Sequence, residues 1–275
     1  MHRFSQIDVF TDRAHLGNPV AVVHDADDLD DDTMQRFARW TNLSETTFLL
    51  RPTVASADYR VRIFTPAHEL PFAGHPTLGT CHAWLESGGH PAGGDEVVQQ
   101  CAAGLVRVRH TSNGLAFAAP PLVRSGPVDG ATADQVVSML GITHDDVVAM
   151  TWADNGPGWI AVAMRDAAAV LALRPRPGDL DVGVVAPQPP GADTDVEVRA
   201  FFPLGGATVE DPVTGSLNAG LAMWMLGTGR LTSPYVAAQG TAMGRRGRVH
   251  VEQDDDGTIW IGGGTVKCVS GTALF

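Results

Sequence analysis

Two stretches of the chain have the composition of helices but carry no charged side chain. The first runs from Gly74 to Leu85 and the second from Thr214 to Gly229, and each follows a break made of Gly, Pro, His or Ser. A surface helix has a charged face, so a helix without one is buried on all sides. Each stretch is also too short to span a bilayer. The simplest fold therefore wraps β-strands around each helix, once in each half of the chain.

The sequence around these helices predicts mostly β-structure. Ile7 and Val9 alternate with other residues, as do Val20 and Val22, and "HLGNP" between them supplies a turn. This pattern predicts a β-hairpin. The segment 119–130, "APPLVRSGPVDG", is rich in Pro and Gly and is typical of a connection between two halves.

We therefore expect an α+β protein with two pseudo-symmetric lobes, each a β-barrel-like sheet wrapped around a central helix. The N-terminal lobe is predicted for residues 1–121 with its helix near 75–87. The C-terminal lobe is predicted for 122–275 with its helix near 215–227, and the final strand is expected to return to the first lobe. The proline-rich segment 174–192 is predicted to be a loop.

Composition excludes several classes of function. The net charge of −12 repels a polyphosphate backbone, so we expect no nucleic-acid partner. No apolar run reaches the length of a membrane helix, and "MHRFSQIDVF" is typical of a strand rather than a signal peptide. We expect a cytoplasmic protein without a membrane partner. Its three cysteines, Cys81, Cys101 and Cys268, are odd in number and widely spaced, which predicts reduced thiols rather than disulfides or a zinc site.

Common cofactor motifs do not occur in the sequence. There is no GxGxxG opening a βα unit, no GxxxxGK[ST], no HExxH and no GxSxG. His68, His75 and His82 are seven residues apart, whereas zinc-binding helices usually pair ligands at i and i+4. We therefore expect neither a metal nor an organic cofactor.

The starts of the two uncharged helices have the residue types of an anion site. His75 is predicted as the N-cap and Pro76 as the first helical residue, and Gly215 and Ser216 lie at the start of the second helix. Free N–H groups at such starts, together with the helix dipole, bind carboxylates or phosphates. Two helix starts facing one cleft would hold a small anion from both sides. The alternative is that these residues only cap their helices.

Several residues near these breaks could transfer a proton, namely His75, Asp211, Glu210, Glu69 and Glu45. The last lies in "NLSETTFLL", directly before a strand-like run. A carboxylate at the edge of a buried strand is costly unless it is exposed, paired or used. A general acid/base that takes and returns a proton is one such use. An ordinary exposed glutamate is the other reading.

Six blocks of the sequence resemble one family when taken in order. They are "IDVFTDRAHLGNPVAVV", "LSETTFLL", "RIFTPAHELPFAGHPTLGT", "VEDPVTGSLNAGLAMWML", "QGTAMGRRGRVHV" and "IGGGTVKCVSGTAL". They are similar to the PhzF-like phenazine-biosynthesis family, within the diaminopimelate-epimerase-like fold. The blocks extend from near residue 7 to residue 274, so the resemblance covers nearly the whole chain.

The resemblance implies a cofactor-free isomerase that acts as a homodimer in secondary-metabolite or antibiotic biosynthesis. Glu45 would be the general acid/base, and His75 and Asp211 would bind and polarise a small carboxylic acid substrate. The substrate carboxylate would be bound at the helix starts by Gly74, Gly215 and Ser216. The expected reaction moves a proton, and with it a double bond, within a small unsaturated amino or hydroxy acid.

Two other functions stay open at this point. In thiol racemases of the same fold, catalytic cysteines lie just before the central helices, where Ala73 and Asp211 are the expected counterparts here. A two-thiol mechanism is therefore disfavoured, but an epimerase or racemase could pair Glu45 with Asp211 or His75. A non-catalytic protein that binds small anions is the second alternative.

Overall fold

The computed structural model describes residues 1–275 and contains five α-helices and eighteen strands. The helices are α1 (Asp31–Thr41), α2 (Gly74–Glu86), α3 (Gly130–Leu140), α4 (Ala167–Ala172) and α5 (Gly215–Gly227). The first nine strands are β1 (His2–Val9), β2 (Asn18–Val23), β3 (Glu45–Leu50), β4 (Tyr59–Phe64), β5 (Glu69–Leu70), β6 (Glu96–Cys101), β7 (Gly104–Thr111), β8 (Gly114–Ala118) and β9 (Arg124–Gly126). The others are β10 (Val147–Asp154), β11 (Ile160–Met164), β12 (Val182–Pro187), β13 (Val196–Leu204), β14 (Ala207–Asp211), β15 (Tyr235–Gln239), β16 (Gly247–Gln253), β17 (Ile259–Gly263) and β18 (Thr265–Ala273).

The chain divides into two compact units. Unit 1 contains residues 1–118 and 262–275, and unit 2 contains residues 119–261. In unit 1, β1 pairs antiparallel with both β2 and β18, β2 pairs parallel with β3, and β4 pairs parallel with β6. Helix α2 packs against β1, β2, β3, β6, β8 and β18 of this sheet.

Unit 2 follows the same order of elements. In unit 1 the order is β1-β2-α1-β3-β4-β5-α2-β6-β7, and in unit 2 it is β10-β11-α4-β12-β13-β14-α5-β15-β16. The pairings correspond as well, since β11–β12 and β13–β15 are parallel like β2–β3 and β4–β6. Each unit is thus a mainly antiparallel sheet around one buried helix, which confirms the predicted α+β class.

The first eight residues of each central helix are buried on all sides, as their lack of charge predicts. Every residue from Gly74 to Cys81 in α2 and from Gly215 to Ala222 in α5 is buried. Small residues allow the close packing: a Cβ on Gly79 would lie 2.3 Å from Val20 Cγ1, and one on Gly220 would lie 2.2 Å from the Ala153 oxygen. Neither position can take a larger side chain without displacing the sheet.

The predicted loop 174–192 is wrong in its central part. Residues Val182–Pro187 form β12, pairing with β11 and β13, and five of its six residues are buried. The prolines around it dominate the composition, but the "VGVVA" run is a short continuous apolar stretch of the kind found in buried strands. No helix of the structure has the length and apolar character needed to cross a membrane.

Candidate active site

The starts of α2 and α5 differ from those of the other three α-helices. Helices α1, α3 and α4 each begin after an aspartate whose side chain accepts a hydrogen bond from a first-turn N–H. Helices α2 and α5 follow Ala73 and Thr214, neither of which makes a side-chain cap hydrogen bond. First-turn N–H groups without a side-chain cap, at the positive end of the dipole, are suited to binding an anion.

The predicted cap of α2 is wrong by two residues. The N-cap is Ala73, in an extended conformation, and helical hydrogen bonding begins at once because the Thr77 N–H donates to the Ala73 oxygen at 3.2 Å. His75 is therefore the second helical residue and Pro76 the third. Proline is tolerated there because its missing N–H belongs to the first turn, which has no intrahelical acceptor.

His75 lies beside Glu45. Its Nε2 atom is 3.3 Å from Glu45 Oε2, with 5% of the His75 side chain and 15% of the Glu45 side chain exposed. Glu45 is the first residue of β3, and β3 packs directly against α2. The structure therefore brings together Gly74, His75 and Glu45 at the start of α2.

Burial keeps the His75 ring neutral. Desolvation lowers the pKa of His75 from 6.5 to about 3, and a backbone hydrogen bond to Pro19 opposes this shift. At neutral pH the 3.3 Å approach of His75 to Glu45 is consequently not an ion pair between two charges, but a polar contact between a neutral ring and the Glu45 carboxyl group.

Sequence reasoning missed Asn18, which lies on the other side of the His75 ring. Its Nδ2 atom is 3.4 Å from His75 Nδ1, and Asn18 is fully buried as the first residue of β2. Asn18 belongs to the "HLGNP" segment, whose residue types are typical of a turn and indicate no role in a site. The two residues are 57 positions apart, so no local pattern predicts their contact.

The other three predicted site residues, Asp211, Gly215 and Ser216, lie in unit 2. Asp211 ends β14 and is 9% exposed, while Gly215 and Ser216 are the first two residues of α5. The Thr214 hydroxyl lies 2.5 Å from Asp211 Oδ2. Asp211 is thereby fixed close to the N-terminal end of α5.

Gln239 fixes the direction of that hydrogen bond. Its Oε1 atom accepts from the Thr214 backbone N–H at 3.0 Å, which identifies Oε1 as the acceptor end of the amide. Its Nε2 atom then donates to the Thr214 hydroxyl oxygen at 2.9 Å. The Thr214 hydroxyl must therefore donate to Asp211, a charge-assisted bond to a carboxylate. Thr214 and Gln239 are further residues that sequence reasoning missed.

The expected counterpart of Ala73 also needs correction. Because α5 begins at Gly215, the residue directly before it is Thr214, and Asp211 lies three residues earlier. Neither helix start carries a thiol. Burial raises the pKa of Cys81, inside α2, to about 12, so this cysteine is not a thiolate nucleophile at neutral pH.

Two other carboxylates proposed as proton carriers are held by arginines. Arg62 donates from Nε and Nη2 to the two oxygens of Glu69 at 2.8 and 2.7 Å. Arg199 does the same to Glu210 at 3.0 and 2.7 Å. In each of these two-point pairs the guanidinium occupies both carboxylate oxygens, so neither oxygen is left to take a proton from a substrate.

Known proteins of one family are similar to this chain over nearly its whole length. The family described as "Phenazine biosynthesis-like protein" matches residues 7–271. The Antisense-enhancing sequence 1 protein of Schizosaccharomyces pombe is 36% identical, over 99% of both chains. A trans-2,3-dihydro-3-hydroxyanthranilate isomerase of Pseudomonas aeruginosa is 34% identical, over 94% of this chain and 92% of that protein.

The fold is also found among solved structures. A PhzF-family phenazine biosynthesis protein of Bacillus anthracis superposes with a TM-score of 0.82, over 100% of this chain and 99% of that chain. The two sequences are 22% identical, so this similarity concerns the fold.

Proposed function

Because this chain belongs to the phenazine biosynthesis-like protein family of isomerases, we propose that it moves a proton within a small unsaturated amino or hydroxy carboxylic acid. The double bond of the substrate migrates with the proton, and no metal or organic cofactor takes part. The reaction belongs to secondary metabolism, such as antibiotic synthesis. The observation that carries this proposal is the contact between His75 Nε2 and Glu45 Oε2.

In the proposed reaction Glu45 is the general acid/base. Its carboxylate takes a proton from an acidified carbon of the substrate, and the resulting acid returns a proton to a distant carbon of the same conjugated system. One group suffices because taking and returning occur in succession. The low exposure of Glu45 supports this role, since a carboxyl largely withdrawn from bulk water interacts more strongly with a bound substrate.

The surroundings of His75 suit both protonation states of Glu45. Asn18 Nδ2 can only donate, so facing it His75 Nδ1 is an acceptor, the ring proton is on Nε2, and this proton lies on the side of the Glu45 carboxylate, 3.3 Å from Nε2. Proline has no backbone N–H, so the Pro19 backbone accepts from the ring in the other tautomer. Nε2 is then an acceptor for protonated Glu45. A neutral His75 thus accompanies Glu45 through the cycle.

The remaining site residues are proposed to bind the substrate. Gly74, Gly215 and Ser216 contact its carboxylate, and His75 and Asp211 polarise it. Support comes from the helix starts without side-chain caps and from the hydroxyl that holds Asp211 in place. We include homodimerisation in the proposal, as the family resemblance implies.

Proton NMR of the wild-type protein in D₂O tests this function. The panel contains trans-2,3-dihydro-3-hydroxyanthranilate, the compound that appears in the names of related isomerases. It also contains other small cyclic unsaturated amino and hydroxy acids. The proposal predicts deuterium at a new carbon and a shifted double bond in one of them. Inversion at a single carbon would identify an epimerase instead, and tight binding without exchange would identify a binding protein.

A further inference from the structure

The segment 154–159, "DNGPGW", joins β10 to β11 and contacts the first turn of α5 through two side chains. Trp159 Nε1 lies 3.0 Å from Ser216 Oγ, and Asn155 Nδ2 lies 2.8 Å from the Ser216 backbone oxygen. Trp159 is 4% exposed and Ser216 is 9% exposed. The sequence pattern of this segment indicates no function, yet both contacts converge on one residue proposed to bind the substrate.

The Trp159 contact restricts the Ser216 hydroxyl. An indole N–H can only donate, so the serine oxygen is the acceptor in this bond. The hydroxyl hydrogen must therefore point away from the indole. The protein provides no acceptor for it, because the Trp159 bond is the single side-chain hydrogen bond of Ser216. This hydrogen is available to an acceptor on a ligand, such as a carboxylate oxygen.

The Asn155 contact fixes the backbone that carries this hydroxyl. A carbonyl oxygen can only accept, so the amide nitrogen of Asn155 is the atom that faces Ser216. This bond ties the segment to the first turn of α5. Side-chain and backbone contacts together therefore hold Ser216 in position and turn its hydroxyl hydrogen away from the indole.

The segment itself is held in shape by Asp154. Its Oδ1 atom accepts from the Gly156 N–H at 2.7 Å and from the Gly158 N–H at 2.8 Å. Both glycines have a positive φ angle, 142° for Gly156 and 99° for Gly158, which residues other than glycine rarely adopt. A segment closed by two hydrogen bonds to one carboxylate can hold Asn155 and Trp159 in fixed orientations.

We propose that Trp159 and Asn155 are positioning residues that aim the Ser216 hydroxyl at the substrate carboxylate and make the site selective for a carboxylate over a neutral amide. The inference rests on the proposed function, which assigns Ser216 to the carboxylate. Neither residue touches the substrate in this account. Their effect is on selectivity, which distinguishes them from residues that only stabilise the fold.

Calorimetric binding of anthranilate and anthranilamide tests this inference, since the two compounds differ only in carboxylate and amide. We expect the wild type to prefer anthranilate and Trp159→Phe to weaken anthranilate binding about tenfold, the scale of one hydrogen bond to a charged group. Binding of anthranilamide should change less than about twofold. Trp152→Phe, which alters an indole that stacks on Arg124 instead, should retain the wild-type preference.

Asn155→Ala provides a second variant should Trp159→Phe fail to fold, and it should also lower the preference for anthranilate. Equal weakening of both ligands, or a wild type that does not distinguish them, would overturn the inference. Turnover is not needed for this test. A protein that selects anthranilate but isomerises no compound would refute the proposed function and leave the role of Trp159 and Asn155 intact.

Discussion

His75 Nε2 lies 3.3 Å from Glu45 Oε2, and the histidine of this pair is the more deeply buried member. The two residues are brought together because β3, which begins with Glu45, packs against the first turns of α2. Since burial keeps the imidazole neutral, the pair carries at most the single negative charge of Glu45. A neutral imidazole places no positive charge from His75 beside the Glu45 carboxyl group.

The depressed pKa of His75 predicts how stability depends on pH. The ring has a pKa of 6.5 when the chain is unfolded and of about 3 when it is folded. Its contribution to the free energy of unfolding is therefore fully present above pH 6.5 and is lost as the pH falls toward 3. We expect the unfolding free energy of His75→Gln to fall less steeply between pH 7 and pH 4 than that of the wild type. Urea denaturation at a series of pH values measures both slopes. The lowered pKa values of His24, His82 and His250 affect both proteins alike and cancel in the difference. Parallel slopes would show that the ring charges freely in the fold.

The raised pKa of Asp181 predicts that the free energy of unfolding depends on pH with the opposite sign. Burial, with a smaller contribution from Asp154, raises its pKa from 3.8 to about 6, so its contribution is present below pH 3.8 and is lost as the pH rises through 6. Asp181→Asn should therefore stabilise the protein at pH 8 relative to pH 4, by on the order of 1 kcal/mol once solvent screening is allowed for. Thermal unfolding at the two pH values measures this difference. The exposed Asp179→Asn is the matched control and should show no such change. A gain that is the same at both pH values would contradict the assignment.

Removal of the Thr214 hydroxyl, which donates to Asp211, is expected to lower the activity. Thr214→Val keeps the shape of the side chain but removes the donor to Asp211 and the acceptor for Gln239. We expect kcat/KM to fall roughly ten- to a hundredfold, the scale of a lost hydrogen bond to a charged group. Steady-state kinetics on the substrate identified by NMR gives the number. Thr228→Val removes a hydroxyl at the other end of the same helix, where it bonds to the Trp224 oxygen, and should leave kcat/KM within about twofold. Equal effects of the two variants would assign Thr214 a structural role only.

The sequence predicts the central helices well because their signal is local and strong. Glu86, the last residue of α2, is the single charged side chain of the two helices, and in this fold a helix without a charged face can only be buried inside a sheet. The sequence does not predict strand β12, because the prolines around it indicate a loop although five of its six residues are buried. The cap of α2 is misplaced because Pro76 matches the usual first helical residue and so makes His75 the cap, whereas the helix actually begins at Gly74.

The residues that support the candidate site cannot be predicted from local patterns in the sequence. Asn18 and Trp159 each contact a residue 57 positions away, and Gln239 contacts Thr214 across 25 positions. Such contacts depend on how strands and helices pack, so neither periodicity nor spacing along the chain predicts them. The resemblance supplies the proposed site residues, whereas the contacts that orient them are visible in the structure alone.

The central claim is that Glu45 carries the proton, and the most direct measurement is the rate of deuterium incorporation from D₂O by Glu45→Gln beside the wild type. The account predicts a loss of about 10²- to 10⁴-fold, the usual contribution of a general acid/base, with unchanged thermal stability and with binding of anthranilate retained. Glu69→Gln, in which the altered carboxylate is held by Arg62, should exchange at nearly the wild-type rate. Incorporation by Glu45→Gln within about tenfold of the wild type would contradict the account and transfer the role to His75 or Asp211.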